Sequence, residues 1–230
     1  MSVATLTRNE LSTPESDVLL VTNPQNKERV RQFAEARFKA AYGAEVNDFL
    51  PNVLALLDSQ HAIKASAGYQ SADASRLYLE HYLNQSVEES IAHSLNIKAP
   101  QRSEILEVGN LASSSPGSTR RLILNLACHF EKLGYRWLAI TATPHVRNSF
   151  EKLNIGFNLY PIAKAEAEAV KHTDSSWGNY YDHNPEVYVG DIRLGINTLR
   201  SNPILSKLLQ RQGLPLSDQG ISIQTLESKK

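Results

Sequence analysis

Residues 103–133 read SEILEVGNLASSSPGSTRRLILNLACHFEKL, and this stretch decides the fold. Its first ten residues are apolar enough to form a buried strand that is interrupted by Glu107 and Gly109. A glycine inside such a strand indicates a bulge or a close backbone approach. A turn follows at 113–117, and apolar residues at helical spacing then predict a helix over 118–133. The stretch is therefore a strand, a turn and a helix in direct succession.

The remainder of the chain alternates in the same way. We predict strands at 18–22, 62–69, 136–141, 155–162 and 186–192, and helices at 27–42, 86–95 and 148–153. This alternation predicts an α/β protein with a mixed central sheet flanked by helices, in which 103–112 is a central strand beside 136–142. The predicted domains are a flexible N-terminal arm at 1–17, one α/β domain at 18–195, and a partly mobile C-terminal extension at 196–230 with one small helix near 204–209.

Composition argues against some partners and compartments. The 24 basic and 24 acidic side chains balance, which predicts no nucleic-acid partner and no attraction to an anionic membrane. The chain has one cysteine, Cys128, and therefore no intrachain disulfide. Residues 1–17 lack the basic start and apolar run of a secretory signal, and no run approaches about 18 apolar residues. We expect a cytoplasmic protein without a membrane span.

The start of the helix after the 113–117 turn is a candidate anion site. Free backbone N–H groups and the helix dipole favour an anion at this end. Arg120 and Arg121 oppose the dipole unless an anion lies nearby, which indicates a phosphate. The alternative is that both arginines are solvated or paired with acidic side chains elsewhere.

Glu107 is an ionisable residue inside the most apolar strand of the chain. If it is buried and unpaired, its pKa is raised and it becomes a candidate general base. The alternative is a structural ion pair with an arginine, which is a common fate of buried acids. The spacing of residues alone leaves both interpretations open.

Several segments together resemble the thermostable hemolysin family, and they occur in the same order. They are FKAAYGAEVNDFLP at 38–51, GYQSA at 68–72, LYLEHYL at 77–83, EVGNLA at 107–112, TATPHVRNSFEKL at 141–153 and WGNYYDHNPEV at 177–187. This family is similar to acyl-homoserine-lactone (autoinducer) synthases and, more distantly, to GNAT-like acyltransferases. The resemblance implies a GNAT-like, autoinducer-synthase-like acyltransferase fold.

The same resemblance implies a reaction, an N-acyl transfer from an acyl thioester to a small-molecule amine. The donor would be acyl-CoA or an acyl carrier protein, with a fatty acyl group, and no permanently bound cofactor or metal is implied. The implied catalytic residues are Glu107, Gly109 and Asn110. The implied cofactor-binding residues are Gly117, Ser118, Thr119, Arg120, Arg121 and Asn148. The implied substrate-binding residues are Arg37, Phe38, Glu45 and Asp48. A dense amphipathic cluster is a further candidate, for the floor of an acyl or amine pocket, and core packing with satisfied hydroxyls is the alternative; it consists of Trp177, Tyr180, Tyr181 and Asp182.

The chain departs from its relatives at two places. Asn110 stands in the region where the synthases carry an arginine, and the spaced glycines of the GNAT phosphate loop are reduced to Gly117. Two other functions therefore stay open. One is a hemolysin that acts on membranes, directly or through a lytic acylated product, and the other is a non-catalytic acyl-binding module.

Overall fold

The computed structural model describes residues 18–211 and 215–224. The predicted arm at 1–17 lies outside the described residues. The described strands are β1 (Val18–Val21), β2 (Asn52–Leu57), β3 (Ile63–Ser71), β4 (Ile105–Ser113), β5 (Trp137–Ala142), β6 (Leu159–Lys164), β7 (Glu186–Asp191) and β8 (Leu216–Ser217). The described helices are α1 (Pro24–Tyr42), α2 (Val87–Leu95), α3 (Pro116–Lys132), α4 (Pro144–Lys152), α5 (Ile192–Ser201) and α6 (Pro203–Gln210).

The strands form one mixed sheet in the order β6-β7-β5-β4-β3-β2-β1-β8. Strand β4 lies in the interior of this sheet, antiparallel to β3 and parallel to β5. The predicted α/β fold with a mixed central sheet is confirmed, and so is the position of 103–112 as a central strand beside 136–142.

Strands β4 and β5 part before either of them ends. Their pairing runs only from Ile105↔Trp137 to Val108↔Ile140. Beyond that point β4 stays paired with β3, and β5 stays paired with β7. A cleft therefore opens through the sheet at the carboxyl ends of these two parallel strands.

The predicted irregularity in β4 is a β-bulge. Gly68 pairs with Gly109 and Ser66 with Ala112, so two residues of β4 oppose one residue of β3. Asn110, inside the bulge, has a left-handed backbone with φ of 49°. Asparagine tolerates this conformation better than most residues. The bulge turns β4 away from β5 at the point where the cleft begins.

Helices cover both faces of the sheet. Successive strand residues point to opposite faces, and Ile105 and Leu106 of β4 accordingly belong to different apolar clusters. Buried side chains of α3, α5 and α6 share the cluster of Leu106. Helix α2 packs on the other face with Ile105, and α1 covers that same face over β1 and β2.

The described elements β2 and α5 were not predicted, and helices α1, α3 and α4 and strand β6 begin two to four residues away from their predicted starts. Strand β2 was not predicted because its VLALL run at 53–57 is apolar throughout and has no strand or helix period. Helix α5 was not predicted because Gly195 interrupts its pattern, although Ile192, Ile196 and Leu199 are buried at helical spacing. Helix α3 begins at Pro116, two residues before the predicted start.

The predicted C-terminal extension is described at residues 196–211 and 215–224, and these residues pack against the rest of the fold. Helix α6 joins the main core, and β8 pairs parallel with β1. Asp218 is 1% exposed. Its carboxylate accepts hydrogen bonds from the backbone N–H groups of Thr22 and Asn23 and from the Asn26 side chain. Burial alone would raise the pKa of Asp218, but these donors hold it below its ordinary value.

We predict that Asp218→Asn weakens the attachment of the C-terminal segment. At least one of the groups that donate to the Asp218 carboxylate then faces the amide nitrogen of the new asparagine. Because that hydrogen bond is lost, the free energy of unfolding at pH 7 should fall by about 1–3 kcal/mol. Because the folded-state pKa is depressed, this contribution is present above pH ~4 and is lost as the pH falls through the folded-state value. Urea denaturation of both proteins at pH 7 and pH 3 measures it.

The matched control for this substitution is Asp182→Asn, at an exposed aspartate. Equal stability of Asp218→Asn and the parent chain at pH 7 would contradict the prediction.

Candidate active site

A cavity of about 470 Å³ lies where β4 and β5 part. Its walls are the end of α1, the loop that follows α1, the 3₁₀ segment Tyr78–Tyr82, the ends of β4 and β5, and the aromatic segment around Trp177. Six residues predicted from the sequence line it together: Phe38, Asp48, Glu107, Asn110, Trp177 and Tyr180.

Glu107 is buried in the cavity wall and is 3% exposed. Its carboxylate accepts hydrogen bonds from the backbone N–H groups of Tyr78 at 2.7 Å and Leu79 at 3.0 Å, and from the Gln70 amide at 3.3 Å. These partners are amides rather than the arginine of the ion-pair hypothesis. Since an ionised carboxylate can accept about four hydrogen bonds, these donors do not exhaust its capacity.

The pKa of Glu107 is about 7. Burial raises it, because removing the carboxylate from water penalises the charged form. The donors from Tyr78, Leu79 and Gln70 oppose this rise. At neutral pH, Glu107 is therefore a mixture of its protonated and ionised forms. This suits a group that accepts a proton and later returns it.

The 3₁₀ segment Tyr78–Tyr82 is held from two sides by buried carboxylates. Glu107 binds its first N–H groups, and Glu80 accepts from the backbone N–H groups of Leu77 at 2.8 Å and Val87 at 3.0 Å. Glu80 also pairs with Arg102 at 2.8 Å. In the sequence, LYLEHYL contributes only to the family resemblance, and nothing in this segment indicates that its backbone supplies partners of Glu107.

Aromatic side chains form the wall opposite β4. Phe38 and Tyr42 of α1 meet Trp177 and Tyr180, with the Phe38 and Trp177 ring centroids 6.0 Å apart and those of Tyr42 and Tyr180 5.1 Å apart. The Trp177 Nε1–H donates to the Tyr78 hydroxyl at 3.2 Å. This wall therefore consists of aromatic rings, with the Trp177 Nε1–H and the Tyr78 hydroxyl as polar groups beside them.

The loop after α1 is fastened to the bulge in β4. Asn110 accepts a hydrogen bond from the Leu50 backbone N–H at 3.0 Å and donates one to the Asp48 carbonyl at 2.9 Å. A Cβ on Gly68 would lie 2.9 Å from Leu50 Cβ, and one on Gly109 would lie 3.0 Å from Leu50 Cδ1. The side chain of Asn110 thus holds the loop, while both glycines make room for it.

The remaining predicted substrate residues lie outside the cavity lining. Arg37, Glu45 and Asp182 are exposed, and Glu45 lies 3.7 Å from the exposed Lys39 ammonium. The Tyr181 hydroxyl lies 2.7 Å from that of Tyr82.

The sequence profile of the thermostable hemolysin family matches residues 21–196 of the chain. This chain belongs to the thermostable hemolysin family. A search of curated protein sequences finds no match. Among the described residues, no helix has both the length and the apolar character needed to cross a membrane.

Solved structures with this fold include three synthases. FeeM, an N-acyl amino acid synthase from uncultured soil microbes, superposes with a TM-score of 0.55 at 14% identity, covering 81% of this chain and 96% of FeeM. BjaI, a CoA-dependent acyl-homoserine lactone synthase with SAM and isopentyl-CoA, gives 0.51 at 13% identity, covering 94% and 96%. The acyl-homoserine lactone synthase LasI gives 0.51 at 10%, covering 88% and 98%. The predicted autoinducer-synthase-like fold is confirmed.

In this hemolysin family member, side-chain hydrogen bonds hold the turn before α3. The Ser115 hydroxyl accepts a hydrogen bond from the Ser118 backbone N–H, and the buried Thr119 hydroxyl lies 2.6 Å from that of Ser113. Because the helix begins at Pro116, Arg120 and Arg121 fall in its second turn, where the dipole is weaker. This turn, with Gly117, and the exposed Asn148 of α4 lie outside the cavity lining.

Two further features of the site have no clear signal in the sequence. The buried hydroxyls of Thr141 and Thr143, at the end of β5, line the cavity and have no hydrogen-bond partner among the described residues. A second, apolar cavity of about 60 Å³ lies between the sheet and helices α3 and α5. Val108, Leu111 and Ile140 line both cavities, so the cleft leads from Glu107 towards an apolar slot.

We predict that Glu107 makes stability fall as the pH rises. Its folded-state pKa of about 7 lies above the ordinary value of 4.5. Its contribution is therefore fully present below pH ~4.5 and is lost as the pH rises through ~7, by up to about 3 kcal/mol. Chemical denaturation of the parent chain and of Glu107→Gln, from pH 4.5 to 8, measures the difference between them. A difference that does not change with pH would contradict the raised pKa.

Proposed function

We propose that this protein is an N-acyltransferase that moves an acyl group from a thioester to an amine acceptor. The observation that carries the proposal is a buried carboxylate, Glu107, in the wall of a cavity at the parting of β4 and β5. The aromatic wall offers a site for the acceptor, and the apolar slot offers one for the acyl chain.

The proton transfer follows from the state of Glu107. An amine must be neutral to attack a thioester carbonyl, and a carboxylate with a pKa of about 7 takes up its proton directly or through water. The nitrogen–carbon bond forms, the carbon–sulfur bond breaks, and the thiolate that leaves takes up a proton. The amide donors around Glu107 stabilise its charged form between turnovers.

The negative charge that develops on the thioester carbonyl oxygen requires hydrogen-bond donors near that oxygen. Beyond Val108↔Ile140 the edge of β4 that faced β5 is no longer covered by strand pairing. We infer that the backbone N–H groups of Val108 to Asn110 serve as oxyanion donors there. The bulge at Asn110 sets their direction.

The acyl chain is best accommodated by the apolar slot behind the cleft. Val108, Leu111 and Ile140 lead from the cavity into a lining of α3 and α5 side chains that is almost wholly apolar. Transfer of an alkyl chain into such a lining is favourable by about 0.8 kcal/mol for each methylene. We propose a fatty acyl donor whose first methylenes lie in this slot, since a space of about 60 Å³ holds only part of such a chain.

The donor's phosphates are assigned to the turn before α3. Gly117 would offer its backbone N–H there, Ser118 its hydroxyl, and Arg120 and Arg121 in the second turn of α3 their positive charge. Either acyl-CoA or an acyl carrier protein presents a phosphopantetheine arm that suits such a site. BjaI, which shares the fold, is described as CoA-dependent, and FeeM as an N-acyl amino acid synthase. Both descriptions support thioester-dependent transfer to an amine.

We predict that Glu107→Gln lowers acyl-thioester turnover at pH 7 by ~100-fold or more while the protein stays folded, as expected when a general base is removed. Thiol release from fatty acyl-CoA in the presence of an amine measures the rate. The matched control is Glu80→Gln, which removes an equally buried carboxylate that holds the same 3₁₀ segment but does not line the cavity.

The control separates catalysis from positioning. Equal losses of turnover in Glu80→Gln and Glu107→Gln would mean that both residues merely hold the segment. Lysis of erythrocytes by the purified protein, without thioester or amine, would instead favour a membrane-active hemolysin. Thioester binding without turnover would favour a non-catalytic module.

We predict that reversing Arg120 and Arg121 to glutamate weakens acyl-CoA binding by more than ~10-fold, the effect of losing a charge-assisted contact of about 1.5–3 kcal/mol. Calorimetric titration with acyl-CoA measures the affinity, and Lys132→Glu at the far end of α3 is the control. Unchanged affinity in the double variant would place the phosphates elsewhere.

A further inference from the structure

A third cavity of about 320 Å³ lies beneath α1, against β2 and β3. It is adjacent to the candidate active-site cavity, because Phe49, Leu50 and Asn110 line both. The two spaces are therefore separated by the loop that follows α1, at the point where Asn110 fastens this loop to β4.

Leu50 is the residue of this wall that is seated most closely on the sheet. A Cβ on Gly68 or Gly109 would meet it at 2.9 Å and 3.0 Å. Its backbone N–H is held by Asn110. The position of the Leu50 side chain is thus fixed by two glycines beneath it and by one hydrogen bond from its own backbone.

The cavity beneath α1 has the character of a ligand site. Most of its lining is apolar, as with Val30, Ala34 and Val53, and three charged side chains of α1 also line it. Ser66, which is 1% exposed, lines it, and the Ser66 hydroxyl has no hydrogen-bond partner among the described residues. A buried hydroxyl without a partner is costly, and it marks a place where a polar group of a ligand would be favoured.

We propose that Leu50 sets the length limit of the amine acceptor by closing the active-site cavity on its α1 side. The acceptor is assigned to this side because the apolar slot for the acyl chain lies on the opposite face of the sheet, under α3 and α5. The chemical identity of the acceptor rests on the proposed function. The occupant that fits the joined space is a primary amine with an unbranched apolar tail, and a hydroxyl at the far end of that tail would supply the partner that Ser66 lacks among the described residues.

Leu50→Ala tests this by joining the two cavities. The probes are linear primary alkylamines from ethylamine to dodecylamine, with binding measured by calorimetry and acyl transfer measured from acyl-CoA. In the parent chain, affinity should rise with tail length and then stop rising. In Leu50→Ala the rise should continue by about four-fold for each further methylene, with a gain of ~10-fold or more for the longest tails that bind.

Val53→Ala is the matched control, because Val53 lines only the cavity beneath α1. It enlarges that space without opening the wall, and the length limit should stay where it is. Adding Ser66→Leu to Leu50→Ala refills the space from its far side and should restore the limit. If Leu50→Ala does not fold, Leu50→Val gives a smaller shift in the same direction.

The binding and transfer measurements test the role of Leu50 separately from the proposed acyltransferase function. A length limit that moves in Leu50→Ala, in a protein that never turns over thioesters, supports the role of Leu50 and contradicts the acyltransferase. A folded Leu50→Ala that transfers acyl groups with an unmoved limit overturns the role of Leu50 alone. Failure of the parent chain to bind any alkylamine also overturns it.

Discussion

A carboxylate buried in the central strand must be provided with hydrogen-bond donors, and the architecture around the cavity follows from that requirement. Glu107 obtains them from the backbone N–H groups of Tyr78 and Leu79, which brings the 3₁₀ segment across β4. Glu80 and Arg102 fix the other side of the same segment. The structural and catalytic interpretations of Glu107 are therefore compatible, because the bonds that anchor the segment also keep the carboxylate in the cavity wall.

The second constraint is the backbone of β4 just after Glu107. Asn110 adopts a left-handed conformation that inserts one extra residue and ends the alignment of β4 with β5. The same side chain then fastens the loop after α1, over two glycines that leave room for Leu50. The side chain of one asparagine therefore fixes the loop that walls the cavity, at the bulge beside the cleft.

Local patterns predicted the strand-turn-helix unit at 103–133 well, because Leu122, Leu126 and Phe130 recur at helical spacing and a Pro-Gly turn separates them from the largely apolar run of β4. They failed at β2 and α5, where an unbroken apolar run and Gly195 hide the period. Within the site, Glu107 was predicted from its apolar surroundings. Its donors were not, since they are backbone groups of a segment 28 and 29 residues away that only tertiary folding brings to β4.

Burial and the amide hydrogen bonds, which shift the pKa of Glu107 in opposite directions, also explain how a bound substrate would change the charge of Glu107. Burial favours the neutral acid, whereas the amide donors favour the carboxylate, and the pKa of about 7 is the result of their opposition. An acceptor amine that enters as an ammonium ion adds both a donor and a positive charge, so it shifts Glu107 towards its ionised form. When the ammonium ion gives a proton to Glu107, that stabilisation is lost, the neutral acid is favoured again, and the neutral amine can attack the thioester carbonyl. In the proposed reaction the carboxylate would thus be charged while the acceptor binds and would accept the proton before the new bond forms, without any movement of the strand that carries it.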